Sequence, residues 1–285
     1  MEIKKIGVVG CGQMGSGIAQ VCAQSGYQVV VSEINAEFLN RGLASIDRFL
    51  TSGVERGRVS REDKDATLGR LKGTTDIRNF ADCDMVIEAA VENLELKKKI
   101  FADIDKVTPK QAILASNTSC LSITDMAVMT GRPDRVLGTH FFNPVPLMKL
   151  LEIVRAITTS DETVKAVQEL GLSLGKTIVT VMDAPGFITN RLMMPQVLEA
   201  ARLLEAGYST AQDIDTAMTL ALNHPMGPFA LMDLIGIDTL VFIADGIYAE
   251  LKDPKFAVPT LMRKMVTAGW LGRKSGKGFY EYTKK

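Results

Sequence analysis

The chain of 285 residues lacks any run of about eighteen apolar residues, so no transmembrane helix is predicted. It also lacks an excess of either charge, because 33 lysines and arginines balance 33 aspartates and glutamates. This balance argues against a nucleic-acid partner, which usually requires a basic face. The N-terminal segment MEIKKIGVVGCG passes directly into a predicted strand, which leaves no room for a signal peptide. We therefore predict a cytoplasmic protein with no membrane and no nucleic-acid partner.

Cysteine is scarce and shows no pattern that is typical of metal binding. The four cysteines have no metal-ligand spacing, so we predict reduced thiols and no metal site. They are Cys11, Cys22, Cys83 and Cys120. With 46% hydrophobic and 23% charged residues, the composition is that of a soluble globular protein. A chain of this length can bury enough apolar surface to fold without a metal or a disulfide, as one large domain or two ordinary ones.

Short β-rich segments alternate with helical segments up to about residue 185. The predicted strands are 3–9, 27–33, 72–75, 84–90, 112–117, 135–140, 149–154 and 177–182. One predicted helix follows the glycine-rich segment after the first strand. A longer helical stretch covers about 36–70 and is broken near Gly57. Two further helices are predicted at 94–107 and 161–174. This alternation predicts an α/β fold, a doubly wound Rossmann-type sheet that is largely parallel.

The pattern changes at DAPGF, residues 183–187, where proline and glycine indicate a linker. Only helical patterns follow, at 187–207, 209–222, about 229–249 and 258–268. We therefore predict two domains, a sheet domain over residues 1–185 with a helical excursion at about 36–70, and an all-α domain over residues 186–285. The sequence shows no internal repeat and no low-complexity segment.

A glycine-rich segment, GCGQMG at residues 10–15, follows the first predicted strand and opens a helix. The pattern G-x-G-x-x-G is weak alone, but this context is typical of dinucleotide-binding sites. Gly10 permits the tight turn, Gly12 lets the backbone approach a pyrophosphate, and Gly15 lets the helix pack closely on the strand. A glycine-rich turn without a ligand is the alternative interpretation.

The residues around this motif predict how a dinucleotide would be held. Backbone N–H groups near Gln13 and Met14 would point at phosphate oxygens at the helix N-terminus. Glu33 ends the second predicted strand, where its carboxylate can accept hydrogen bonds from the ribose hydroxyls. Its charge would repel a 2′-phosphate, so the sequence favours NAD over NADP.

One of only two histidines, His140, lies in THFFNPVPLMKLLEIV at residues 139–154, together with Glu152. A lone histidine at a strand end is more often structural than catalytic. Glu152 could face solvent on an edge strand. Its apolar neighbours favour a buried and paired carboxylate instead, because an isolated buried charge is unfavourable.

Six blocks together resemble the L-3-hydroxyacyl-CoA dehydrogenase family across essentially the whole chain. They are GCGQMGSGIAQ, EAAVENLELKK, ASNTSCLSIT, GTHFFNPVPLMKLLEIV, PGFITNR and KSGKGFYEY. Their order and spacing agree with the family, and the short bacterial members that act on 3-hydroxybutyryl-CoA are the most similar. The resemblance implies an NAD-dependent oxidoreductase that interconverts (S)-3-hydroxybutyryl-CoA and acetoacetyl-CoA.

The resemblance implies four catalytic residues. His140 would act as the general base and acid for the C3 oxygen, and Glu152 would orient it and stabilise the imidazolium. Ser119 and Asn190 would bind the substrate as neutral donors that polarise the C3 oxygen. From the pattern alone, Ser119 could also be a helix N-cap for the LSITDM turn.

The resemblance further implies cofactor contacts at Glu92, Lys97, Asn143 and Lys274. The second histidine, His224, does not match a catalytic position, and we predict a turn or helix-start residue there. Cys120 has no assigned role.

The coenzyme A thioester carries phosphates that require basic partners. Arg41, Arg48 and Arg56 are spaced by seven and eight residues, which predicts one helix face. In the family this excursion covers the substrate, but a solvated basic face is an equal alternative because acidic residues lie among the arginines. The apolar content of the second domain predicts burial in a subunit interface, and the resemblance implies a homodimer in which this domain also closes the cleft.

The sequence leaves two other functions open. One is a different two-domain hydroxyacid dehydrogenase, such as the 3-hydroxyisobutyrate type, which uses a lysine in place of a His–Glu pair. The other is a non-enzymatic NAD-binding protein. The sequence does not determine the acyl chain length or the physiological direction of the reaction.

Overall fold

The computed structural model describes residues 2–282, which form two compact units within Met1–Asp183 and Ala184–Lys285. The first unit contains one eight-stranded sheet in the order β3-β2-β1-β4-β5-β6-β7-β8. Its strands are β1 Lys5–Val9, β2 Gln28–Ser32, β3 Leu71–Thr74, β4 Met85–Glu88, β5 Ile113–Ser116, β6 Val136–Phe141, β7 Leu150–Arg155 and β8 Thr177–Met182. Every predicted strand is present, and the predicted α/β fold class is confirmed.

The sheet is parallel except for the pair β6 and β7, which is antiparallel. The connection between these two strands covers only residues 142–149, which is too short for the crossover that a parallel pair requires. The antiparallel pairing places His140 directly opposite Glu152. A local feature of the chain, a short loop, thus brings together two residues that are twelve positions apart.

Six α-helices belong to the part of the first unit that the structure describes. They are α1 Gln13–Gln24, α2 Ala36–Glu55, α3 Arg61–Gly69, α4 Leu94–Val107, α5 Ile123–Ala127 and α6 Asp161–Ser173. The predicted excursion at 36–70 is the pair α2 and α3, and Gly57 between them has a positive φ of 66°. The side chains of Asn35, Ser60 and Asn93 accept hydrogen bonds from backbone N–H groups in the first turns of α2, α3 and α4, respectively. Such caps explain where these helices start.

The short helix α5 was predicted only as a turn, and its N-cap is Ser122 rather than Ser119. The hydroxyl of Ser122 accepts the N–H of Asp125 at 3.1 Å. The alternative role of Ser119 as the N-cap of this segment is therefore wrong. Asp183 also holds this helix start, because its carboxylate accepts both the N–H and the hydroxyl of Thr124.

Within its described residues 184–282, the second unit contains five α-helices, which are α7 Thr189–Glu205, α8 Ala211–Leu222, α9 Pro228–Ile235, α10 Ile237–Leu251 and α11 Thr260–Thr267. The pattern at about 229–249 forms two helices, because Gly236 between them adopts a φ of 108° that L-residues other than glycine rarely reach. The buried carboxylate of Asp233 accepts the N–H groups of Phe279 and Tyr280, which fastens the C-terminal segment. No helix among residues 2–282 is both long enough and apolar enough to cross a membrane.

Candidate active site

The glycine-rich loop lies between β1 and α1, and each of its three glycines has a physical reason. Gly10 has a φ of 93°, and a Cβ there would lie 2.8 Å from the carbonyl oxygen of Ala89. A Cβ on Gly15 would collide with the carbonyl of Gly10. Gly12 is the N-cap of α1, and a Cβ there would have no heavy atom within 4 Å among the described residues. The first turn of α1 thus faces open space, which fits a pyrophosphate.

Glu33 follows β2 and connects that strand to the glycine-rich loop. Its Oε2 accepts the N–H of Cys11 at 2.8 Å, and its Oε1 accepts the N–H of Ile34 at 2.7 Å. Each carboxylate oxygen can accept a second hydrogen bond, so the carboxylate can still bind ribose hydroxyls. These two backbone bonds fix the position of the negative charge that disfavours a 2′-phosphate.

A cavity of about 710 Å³ opens in front of this loop, within the first unit. Its lining includes Gly12, Gln13 and Glu33 from the cofactor motif, and Asn143 from the loop after β6. Helix α2 forms a further wall, and Gly42 permits its close approach, since a Cβ there would collide with Cys11. The size of the cavity, the glycine cradle and the acceptor at Glu33 fit a dinucleotide. The role of Gly42 was not visible in the sequence, because it depends on which helix packs on the loop.

The arginines that were predicted to share one helix face do not all lie on the helix. Arg41 and Arg48 lie on α2 and line the cavity, whereas α2 ends at Glu55 and Arg56 follows as its C-cap. Arg41 donates to Glu37 at 2.9 Å. The charge of this basic face is therefore partly neutralised. Arg48 also lines the cavity, and among residues 2–282 no ion pair of Arg48 is found.

The two residues predicted as a catalytic pair are in contact. His140 Nδ1 lies 2.7 Å from Glu152 Oε2, and both side chains are buried, with 6% and 1% exposure. The carboxylate can only accept when ionised, so this bond places a proton on Nδ1. The ring of His140 also packs on Phe142, with 4.4 Å between ring centroids. Strand pairing and ring packing together restrict the orientation of the imidazole.

The predicted residues Ser119, Glu92 and Lys97 also meet. Glu92 Oε1 accepts the N–H of Ser119 at 2.6 Å and its hydroxyl at 3.0 Å. Glu92 Oε2 lies 3.2 Å from Lys97 Nζ. Lys97 is only 1% exposed and forms a shorter ion pair, 2.6 Å, with Glu88. Glu88 was missed in the sequence because it lies in an apolar strand pattern, where its partner is not visible.

Asn117 is a second residue that the sequence analysis missed. Its Oδ1 accepts the N–H of Phe141 at 3.0 Å, and its own N–H donates to the carbonyl of Glu88 at 2.7 Å. It thus joins the ends of β4, β5 and β6 beside His140. Its place in the block ASNTSCLSIT was the available signal.

The loop after β6, which carries Asn143, is held by Lys176. The Nζ of Lys176 donates to the carbonyls of Val145 at 2.6 Å and Met148 at 2.8 Å. Burial lowers the pKa of Lys176 from its ordinary value. This contact between Lys176, which directly precedes β8, and the loop was also not predicted from the sequence.

The remaining predicted residues belong to the second unit. Asn190 is buried in the first turn of α7, and Lys274 forms an ion pair with Asp238 at 2.6 Å. Their contacts with substrate and cofactor stay predictions. His224 lies in the loop between α8 and α9, where we expected a turn residue.

A Rossmann-type sheet with a glycine-rich loop and a buried His–Glu pair at the strand ends is the arrangement of a nicotinamide-dependent dehydrogenase. Comparison with known proteins agrees. Residues 5–184 match the family model for the 3-hydroxyacyl-CoA dehydrogenase NAD binding domain, and residues 186–282 match that for the C-terminal domain. The chain therefore belongs to the 3-hydroxyacyl-CoA dehydrogenase family. The predicted family, the enzyme class and NAD as cofactor are confirmed.

Individual relatives support this membership over the full length. A probable 3-hydroxybutyryl-CoA dehydrogenase of Deinococcus radiodurans is 48% identical over 98% of this chain and 100% of the relative. A 3-hydroxybutyryl-CoA dehydrogenase of Mycobacterium tuberculosis is 45% identical over 98% of this chain and 99% of its own. The crystal structure of (S)-3-hydroxybutyryl-CoA dehydrogenase from Ralstonia eutropha has a TM-score of 0.95 and 44% identity, and the match covers 99% and 100% of the two chains.

Proposed function

We propose that this enzyme interconverts (S)-3-hydroxybutyryl-CoA and acetoacetyl-CoA with NAD. The observation that carries the proposal is the buried hydrogen bond of 2.7 Å between His140 and Glu152. Relatives named for 3-hydroxybutyryl-CoA at 44–48% identity support the choice of substrate. Within such a reaction, a group that exchanges a proton with the C3 oxygen is indispensable, and histidine is suited to this task near neutral pH.

In the proposed mechanism, the glycine-rich loop and Glu33 would hold NAD, which would supply the acceptor for the hydride that leaves C3 of the hydroxyacyl group. His140 removes the proton of the 3-hydroxyl through the ring nitrogen opposite its bond to Glu152. The C3 oxygen keeps the electron pair of its O–H bond and becomes the ketone oxygen. Glu152 stabilises the positive charge that develops on the imidazole. In the reverse direction, the imidazolium returns the proton to the C3 oxygen.

Ser119 and Asn190 are proposed to polarise the C3 oxygen as neutral donors. The hydroxyl of Ser119 donates to Glu92 at 3.0 Å in this structure. Donation to the substrate therefore requires the Ser119 hydrogen to turn from Glu92 toward the C3 oxygen. Asn190 would supply its amide from the second unit.

Further parts of the proposal concern the cofactor and the thioester. Glu92, Lys97, Asn143 and Lys274 are proposed as cofactor contacts. The arginines of α2 are proposed as partners for coenzyme A phosphates.

We also propose a homodimer that forms through the helical unit. Apolar side chains such as Leu192, Leu220 and Leu222 are exposed by 72%, 81% and 58% on this unit, and burial in a subunit interface would remove them from water. A cytoplasmic location stays a prediction.

A spectrophotometric assay tests the central proposal. NADH oxidation is measured with acetoacetyl-CoA, with free acetoacetate as the control and NADPH as the competing cofactor. We expect rapid oxidation of NADH only with the thioester. Turnover with free hydroxyacids or ketoacids in place of the thioester would contradict the proposed substrate, and a preference for NADPH would contradict the role of Glu33.

The His140→Ala variant tests the chemistry separately. It should retain the fold and NADH binding but lose about 10²–10⁴-fold in kcat. Wild-type turnover by the folded variant would show that His140 is not the general base.

A further inference from the structure

Glu88 and Lys97 form an ion pair in the interior of the first unit. Glu88, the last residue of β4, is fully buried, and Lys97 in α4 is 1% exposed. Their charged atoms lie 2.6 Å apart. Two charges removed from water are seldom more stable than a well-packed apolar pair. The pair therefore calls for an explanation other than stability of the sheet.

The carboxylate of Glu88 has partners on three different segments. Its Oε1 accepts Lys97 Nζ and the N–H of Ala90, each at 2.6 Å. Its Oε2 accepts the hydroxyl of Ser116, the last residue of β5, also at 2.6 Å. One side chain thus fixes the end of β5, helix α4, and the segment that leaves β4.

This segment contacts the glycine-rich loop. The carbonyl of Ala89 lies where a Cβ on Gly10 would clash, at 2.8 Å. Since Glu88 holds the N–H of Ala90, it also sets the position of the backbone against which the loop packs. A change at Glu88 should therefore reach the loop that binds the dinucleotide.

On the other side, Lys97 connects Glu88 to Ser119. Lys97 Nζ lies 3.2 Å from Glu92 Oε2, and Glu92 Oε1 accepts the N–H and the hydroxyl of Ser119. The sequence of contacts runs from Glu88 through Lys97 and Glu92 to the proposed substrate-binding serine. Removal of the Glu88 charge leaves Lys97 with Glu92 as its remaining carboxylate partner. The position of Glu92 should then change, and with it the orientation of the Ser119 hydroxyl that Glu92 accepts.

We propose that Glu88 is a positioning residue of the dehydrogenase, an inference that rests on the proposed function for its effect on turnover. Glu88 keeps Lys97 and Glu92 in place, and through them it orients Ser119 at the site of reaction. Through Ala90 it also holds the cofactor loop. It acts on substrate and cofactor only through these other residues.

The test compares Glu88→Gln, the double variant Glu88→Leu/Lys97→Leu, and Asp105→Asn. Asp105 pairs with the buried Arg132 at 2.7 Å, outside the site, so it serves as the matched control for loss of a carboxylate that pairs with a buried cation. For each variant the melting temperature, the Kd of NADH by fluorescence titration, and kcat with acetoacetyl-CoA are measured. The double variant removes both charges of the pair, so it avoids the buried ammonium group that Glu88→Gln leaves with only part of its carboxylate partners.

We expect Glu88→Gln to lower kcat by about tenfold or more and to weaken NADH binding severalfold. In the double variant, kcat should stay low even where the melting temperature recovers, whereas Asp105→Asn should lose stability without loss of kcat. Recovery of kcat together with stability in the double variant would overturn the proposal. So would an unchanged Kd of NADH in folded Glu88→Gln. The NADH titration does not depend on the substrate, whereas failure of the wild-type enzyme with acetoacetyl-CoA would refute the proposed function alone.

Discussion

Replacement of Glu152 by glutamine removes the negative charge opposite His140 and nearly preserves the size of the side chain. The hydrogen bond that it alters is 2.7 Å long and joins two side chains that are 6% and 1% exposed. In such a buried site the bond is not screened by water. Because the bond strengthens when His140 becomes positively charged, its loss should affect the reaction more than substrate binding.

The magnitude follows from the strength of a charged hydrogen bond. Such bonds contribute about 1.5–3 kcal/mol, and about 1.36 kcal/mol corresponds to a tenfold change in rate. We therefore expect Glu152→Gln to lower kcat by about 10- to 150-fold. A larger loss is expected if the amide donates to Nδ1, because that places the proton of the neutral ring on the wrong nitrogen.

The assay is NADH-dependent reduction of acetoacetyl-CoA at saturating concentrations of both, with melting temperature as the measure of folding. The KM for acetoacetyl-CoA should change little, since Glu152 contacts His140 rather than the substrate in the proposed mechanism. Glu162→Gln on the exposed first turn of α6 is the matched control and should behave as wild type. A folded Glu152→Gln enzyme with wild-type kcat would refute the orienting role.

Three further predictions concern the frame of the site. Lys176→Met should lower the free energy of unfolding by about 1–3 kcal/mol in urea denaturation, because two loop carbonyls lose their donor; an unchanged midpoint would contradict this. Gly42→Ala should weaken NADH binding in a fluorescence titration, because its Cβ would collide with the glycine-rich loop. The control Gly69→Ala should bind NADH as wild type does, because the space around Gly69 is open. Equal NADH affinities of the two variants would refute the close approach of α2 to the loop. Three thiols whose pKa burial raises to about 12 should react slowly with a disulfide reagent at pH 8 until the protein is unfolded, and rapid labelling of the native protein at any of them would contradict their burial. They are Cys11, Cys22 and Cys83.

The frame of the fold was predictable because its signals are local. Strand β8 and helix α4 lie at the predicted residues 177–182 and 94–107, since apolar periodicity and capping residues depend on near neighbours in the chain. The glycine positions of the loop were predictable for the same reason. Within the site, the short connection 142–149 made the pairing of His140 with Glu152 a natural consequence of two adjacent strands.

Other features depend on elements that are distant in sequence. Lys97 was predicted by resemblance, but its partner Glu88 was not, and neither was the contact of Lys176 with the loop of Asn143. Ser119 was only an alternative candidate for the cap of α5, because two serines, Ser119 and Ser122, precede that helix and only the backbone decides between them.

The sequence by itself determined which segments form the strands and most of the helices, and it placed the glycine motif and the His–Glu pair. Only the tertiary structure decided which strand ends share one edge of the sheet, and therefore which buried charges meet there. The ion pair of Glu88 and Lys97 shows the physical reason. A carboxylate in an apolar strand is stable only with a partner. Lys97 becomes that partner through the packing of α4 against β4, and the residues beside Glu88 in the chain do not supply it.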